Sequence, residues 1–247
     1  MVNAGYTAVL TLGDIQYEDG EYSKFLQSYD LSWGRLKPIT RPVVGNHEYL
    51  TKDAAGYFQY FGTAAGEPLS GYYSYTLGSW LLIALNSQCS HVGGCHQGSR
   101  QVAWLRNVLA THQNRCVLAY WHEPRFSSGQ HGGHRQVAVI WNDLVAAGAD
   151  VVLSGHNHVY ERFEPIGVTD VTSESPTLDP NGIRQFVVGT GGKNVTRFSA
   201  PPLAGEVVRN DHTFGILKLT LHPDRYDWQF VPEAGKTWTD TGSASCR

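Results

Sequence analysis

The stretch Val151-Val152-Leu153-Ser154-Gly155-His156-Asn157-His158, continuing into Val159-Tyr160-Glu161-Arg162, decides how the rest of the chain is read. Val151 to Leu153 is a short apolar run bounded by turn residues, the pattern of a buried strand. Gly155 then lets the chain turn sharply. His156 and His158 stand two residues apart, so in extended backbone both imidazoles project to the same side. Two imidazoles at the end of a buried strand suit a transition metal. Taken alone, such a pair is as often two loop histidines making ordinary hydrogen bonds.

Three other stretches share the layout. Residues 8–12 (Ala-Val-Leu-Thr-Leu) run into Gly13-Asp14, Pro42-Val43-Val44 runs into Gly45-Asn46-His47-Glu48, and residues 117–120 (Val-Leu-Ala-Tyr) lead to His122. Each is an apolar run that ends in a residue with a donor atom. Ligands in α/β folds gather beyond the carboxyl ends of strands, so these endings point to one site. The residue types suit a pair of cations. A carboxylate such as Asp14 can bridge two ions, Asn46 offers a neutral oxygen, and imidazoles favour zinc, iron and related metals over calcium. Two cations about 3.5–4 Å apart can activate a water, orient a phosphate and stabilise the leaving oxygen of an in-line displacement.

The remaining pattern frames these endings. Residues 21–36 read as helical, residues 72–77 and 80–85 as a hairpin across Gly78-Ser79, and residues 100–111 as a helix with Val102, Leu105 and Leu109 inward. A second helix is expected over residues 134–147, with Gly148 as its stop. Residues 164–182 read as a long surface loop, 184–188 as a strand, and 214–221 with 226–231 as a closing hairpin. Strands alternating with helices, then a β-rich end, imply an α/β sandwich of two sheets with helices outside, in one domain over residues 1–247. Gly189-Thr190-Gly191-Gly192 lacks the Lys-Ser/Thr of a phosphate-binding P-loop and reads as a turn bordering the site. Asn194-Val195-Thr196 has the form of a glycosylation acceptor, a pattern frequent by chance.

Composition excludes several classes. Hydrophobic residues make up 41% and charged residues 17%, which is globular. The net charge of −3 with no basic stripe argues against a nucleic-acid-binding surface. No apolar run approaches the length of a membrane span, and Met1 to Gly5 do not read as a signal peptide. The four cysteines allow three pairings. The short turn-rich loop between Cys89 and Cys95 favours that pair, leaving Cys116 with Cys246. Disulfides would place the chain in an oxidising, extracellular or periplasmic compartment.

In ordered combination, Gly13-Asp14-Ile15-Gln16-Tyr17, Gly45-Asn46-His47-Glu48, His122 after a strand and Gly155-His156-Asn157-His158 resemble the metallophosphoesterase (calcineurin-like) superfamily, and within it the purple acid phosphatase branch. The resemblance runs over about residues 8–162. It implies a helix-flanked two-sheet fold and a dinuclear metal centre, iron with zinc, manganese or a second iron. Asp14 would bridge the ions. Tyr17 and His158 would hold one, and Asn46, His122 and His156 the other. Metal-bound hydroxide would attack a phosphate ester of a small substrate, most simply a monoester. His47 would lie beside the phosphate as donor or general acid, with His131 facing it and His134 as a less favoured substitute. Glu48 and Glu161 are expected to be structural. A diesterase and a non-catalytic metal- or phosphate-binding remnant are the rival readings. The resemblance also implies an earlier strand ending in Asp, whose carboxylate completes the Tyr17/His158 position. No Asp, Glu or His precedes Gly13, so that strand is expected to be missing and that position to bind weakly or stay empty.

Overall fold

The computed structural model describes residues 4–114 and 116–247. Its elements are β1 (Val9–Leu12), α1 (Tyr22–Lys24), β2 (Thr40–Val43), α2 (Ala55–Phe61), β3 (Tyr73–Leu77), β4 (Trp80–Ala84), α3 (Arg100–Thr111), β5 (Cys116–Trp121), α4 (Ala138–Ala146), β6 (Val151–Ser154), β7 (Tyr160–Phe163), β8 (Arg184–Val188), β9 (Glu206–Asn210), β10 (Gly215–Leu221), β11 (Arg225–Pro232) and β12 (Thr241–Ser245). Among the described residues, seven strands form the larger sheet in the order β3-β4-β5-β6-β8-β7-β9. Its centre, β4-β5-β6-β8, is parallel.

Alternation along β4 and β5 builds two cores at once. Leu81, Ile83, Val117 and Ala119 meet Val102 and Leu105 of α3 and Ile140, Trp141 and Leu144 of α4. Leu82, Leu118 and Tyr120 face the other way, with Leu153 and Phe186, and meet Val43 of β2 and Tyr226, Trp228 and Phe230 of β11. A sheet covered on both faces explains why these strands read as unbroken apolar runs. The covering layer is divided into a parallel pair, β1-β2, and an antiparallel meander, β10-β11-β12. Behind Val44, at the end of β2, a third core of Phe25, Tyr29, Tyr57, Tyr60 and Phe61 packs α2 and the turns after β1. The sequence is thus a sandwich with helices outside both layers.

Residues 21–36 are not one helix. After α1 the backbone widens over Phe25–Tyr29 and resumes as a tight turn structure at Trp33–Ile39. Phe25 and Tyr29 are drawn into the aromatic core against Tyr60 and Phe61, and Gly34 and Pro38 favour no regular α-helix beyond them. The helix expected over residues 134–147 is α only over α4, with a single tight turn at Arg135–Val137 before it. Strands β7, β9 and β12 went unrecognised in the sequence. The cysteines pair as Cys89–Cys95 and Cys116–Cys246.

Candidate metal centre

Parallel pairing sets the direction of every chain that enters the site. β1 lies beside β2 and β5 beside β6, so the turns carrying Asp14, Asn46, His122 and His156 leave neighbouring strands at the same end. Close backbone approach makes the convergence possible. A side chain on Gly13 would meet the His122 ring at 2.5 Å, and one on Gly45 would meet the Asp14 amide at 2.3 Å. Gly13 itself has φ +81°, and Asp14 and His156 follow at +48° and +63°, a region that costs a non-glycine residue about 1–3 kcal/mol.

Donor atoms of Asp14, His122 and His156 lie within 4.8 Å of one another. His122 Nε2 is 3.2 Å from Asp14 Oδ2, 3.0 Å from Asn46 Oδ1 and 3.1 Å from His156 Nδ1. The other nitrogen of His122 donates to the Leu12 carbonyl at 2.7 Å. In the neutral ring Nε2 is therefore a lone pair facing two acceptor oxygens. That arrangement repels itself unless a positive charge sits among the atoms, either a proton on His122 or a metal ion. Burial opposes charge on His122, but the Asp14 carboxylate and its hydrogen bond outweigh it and push the ring up to about 9. Burial also acts against ionised Asp14. His122 and the His47 amide overcome it and hold the carboxyl well below its usual range. His156 is driven down to about 2 by burial and by the neighbouring histidines, which leaves it a neutral donor. A carboxylate, an amide oxygen and two imidazoles, one of them fixed by a carbonyl on its other nitrogen, are the donor types of a metal site, and this set fits an ion of the zinc, iron or manganese kind.

A second cluster adjoins the first through Asp14. The Tyr17 hydroxyl lies 3.2 Å from Asp14 Oδ2 and 3.2 Å from His158 Nε2. His158 is oriented in the same manner, its Nδ1 donating to the Asn194 carbonyl at 2.9 Å. Burial and the Asp14 charge push the Tyr17 phenol upward, so the oxygen keeps its proton unless a strongly polarising cation binds it and the proton is released to solvent. Among the described residues Asp14 is the carboxylate this cluster contains. Glu48, fully buried, is directed elsewhere, accepting from the amides of Asp14, Ile15, Gln16 and Gly45 at 2.7–3.2 Å. It ties the turns carrying Asp14 and Asn46 together, the structural part expected of it.

His47 stands at the rim. Its Nδ1 donates to the Glu18 carbonyl, its ring packs on Tyr17 at 4.5 Å between centroids, and Nε2 is 4.0 Å from Asp14 Oδ2. The His131 ring lies 4.7 Å from that of His156. Its loop is held by Asn157, whose Oδ1 accepts from the His131 amide at 2.8 Å and whose Nδ2 donates to the Gly132 carbonyl at 2.9 Å. The same loop is anchored further back by buried Glu161, which accepts from Ser127 Oγ, Ser128 Oγ and the Ser128 amide. His134 faces Glu123 at 3.3 Å and does not join the cluster. Sequence reasoning passed over Asn157, although an amide side chain between two histidines, able both to donate and to accept, was the available signal. Gly189 borders the site as expected: a side chain there would strike the Asn157 carbonyl at 2.0 Å.

This chain belongs to the calcineurin-like phosphoesterase family, whose pattern it matches over residues 2–160. Membership implies a dinuclear metal centre. Its relatives include purple acid phosphatase 21 of Arabidopsis thaliana, 28% identical over 251 residues, covering 91% of this chain and 53% of the relative. Purple acid phosphatase 15 of the same plant is 27% identical over 181 residues, covering 65% of this chain and 32% of the relative. The chain therefore spans between about a third and a half of these relatives. Its fold matches that of the purple acid phosphatase PPD1 from yellow lupin seeds with a TM-score of 0.80 over 98% of this chain and 47% of that one, at 18% identity.

Proposed function

We propose that this chain is a metal-dependent phosphomonoesterase of the acid phosphatase type. One observation carries the reading: four turns from two sheets bring Asp14, Asn46, His122 and His156 into mutual contact with their lone pairs converging. Asn46, His122 and His156 would hold one ion, Tyr17 and His158 the other, and Asp14 both. The ions, when bound, would supply an activated water and neutralise the phosphate oxygens. Iron at the Tyr17/His158 position, with zinc, manganese or iron at the other, suits the phenolate and imidazole donors. The Tyr17/His158 position, with Asp14 as its carboxylate, would bind more weakly than its neighbour.

The chain's own groups do the rest. His47 Nε2 faces the cluster, and with Nδ1–H committed to the Glu18 carbonyl it carries a transferable proton only as the imidazolium. In that state it donates to the departing ester oxygen. His131, its amide held by Asn157 and its ring beside His156, would donate to a phosphate oxygen. The substrate is a small phosphorylated compound. The two disulfides suit an oxidising compartment. No helix among the described residues is long and apolar enough to cross a membrane.

The test is hydrolysis by the metal-loaded protein of p-nitrophenyl phosphate against its bis-aryl diester. Faster turnover of the monoester, abolished by His156→Ala, is expected. A preference for the diester would make it a diesterase. Metal uptake without turnover of either ester would leave a binding protein. An iron–phenolate absorption band in the visible, lost in Tyr17→Phe, would place iron at Tyr17.

A further inference from the structure

The loop after β8 brings a cation to the mouth of this site. His158 is bound to that loop twice: its Nδ1 donates to the Asn194 carbonyl at 2.9 Å, and its carbonyl accepts from the Thr196 amide at 3.0 Å. Lys193 precedes Asn194, so the fastening that orients a candidate metal ligand also fixes the start of the lysine side chain. Its Nζ lies 4.3 Å from the centre of the Tyr17 ring. The phenol oxygen, in contact with Asp14 and His158, is thus no more than a ring radius and one C–O bond further away. His47 packs on the same ring. The ammonium therefore stands within about a ring's breadth of the Asp14, Tyr17 and His158 donors.

In the structure Lys193 is paired with Glu18 at 2.5 Å, and the Glu18 side chain is 73% exposed. Neither contact holds the ammonium tightly. Water screens an ion pair whose carboxylate is this exposed, and a cation over an aromatic face at the rim adds only a modest attraction. An anion delivered by a ligand already anchored at the metal cluster has a high effective concentration here and displaces Glu18 readily. Glu18 then acts as a placeholder that keeps Lys193 aimed at the site.

We propose that Lys193 is a specificity-determining residue that selects phosphate esters bearing a second anionic group, a carboxylate or another phosphate, a few bonds from the scissile phosphate. The inference rests on the phosphoesterase reading above and adds the substrate class.

The experiment compares phosphoglycolate with ethyl phosphate, which shares its two-carbon chain without the second charge, on the metal-loaded full chain. The readout is the ratio of kcat/KM for the two esters, with calorimetric binding of both run in parallel. In the wild type the ratio favours phosphoglycolate. Lys193→Gln lowers it about tenfold, chiefly through KM, Lys193→Arg largely restores it, and Glu18→Gln raises it. A ratio unchanged in Lys193→Gln, or an equal fall for both esters, overturns the proposal, because the lysine then only packs against Tyr17. If neither ester is hydrolysed, the binding arm decides. A preference for phosphoglycolate lost in Lys193→Gln keeps the lysine's role while the phosphoesterase reading fails; equal binding of both esters sinks the inference.

Discussion

Glu48 is fully buried, and its oxygens are satisfied by four amides from two turns; burial and the Asp14 charge push its carboxyl up to about 7. Glu48→Gln exchanges one acceptor oxygen for an amino group that faces N–H donors. The expected cost is about 3 kcal/mol in chemical denaturation, together with a tenfold or greater loss of metal affinity in a titration, because Asp14 and Asn46 lose their common anchor. Asn157→Ala should act differently. It removes both tethers of the His131 loop and leaves the donor cluster intact, so KM should rise several-fold while metal content per chain stays constant. At this scale the donor residues themselves were legible, because Asp, Asn and His after apolar runs advertise their chemistry. The positioning residues were less so. That Glu48 sits three residues past Gly45 is plain in the sequence, but that it also caps a turn 34 residues earlier is a tertiary fact.

The elements that present the donors were the readable ones, since β1, β2, β5 and β6 are short and lead within two residues to glycine or to the donor itself. What escaped was polar or aromatic. β7 alternates buried Tyr160 and Glu161 with half-buried Arg162, and β9 is half polar, so neither shows a clear period. Their pairing is what buries Glu161. Burial and the nearby Glu206 push its carboxyl up to about 7, while Arg209 lies 3.6 Å from Glu206. The sign follows. In the folded chain Glu161 holds its proton to higher pH than in the unfolded chain, so its contribution to stability is complete below the ordinary value of 4.5 and is lost as pH rises through about 7. Urea denaturation should therefore show lower stability at pH 8 than at pH 5, with up to about 3 kcal/mol of the difference due to Glu161, and Glu161→Gln should reduce that slope while Glu48 keeps part of it. A slope unchanged in the variant would remove Glu161 as its cause.

Across the whole molecule, the Cys116–Cys246 bridge joins a central strand of the larger sheet to the residue after β12, closing a separation of 130 residues. Replacing both cysteines by serine should cost about 4–5 kcal/mol by the chain-entropy argument and lower Tm, with the β10-β11-β12 meander exchanging its amide hydrogens first. The layered plan was legible because both cores impose simple patterns. The split of the smaller layer was not, since it depends on which strands pair. That split has a bearing on the donor cluster. Asp14 and Asn46 come from β1 and β2, His122 and His156 from β5 and β6, and these two pairs belong to different sheets. An ion gripped by all four would act as a rivet through the seam. Chelation should then free the small ladder to swing, quickening deuterium uptake in residues 9–12 and 40–43 while β5 and β6 stay protected, so that loss of the ion registers as mechanical slack between plates before it registers as unfolding.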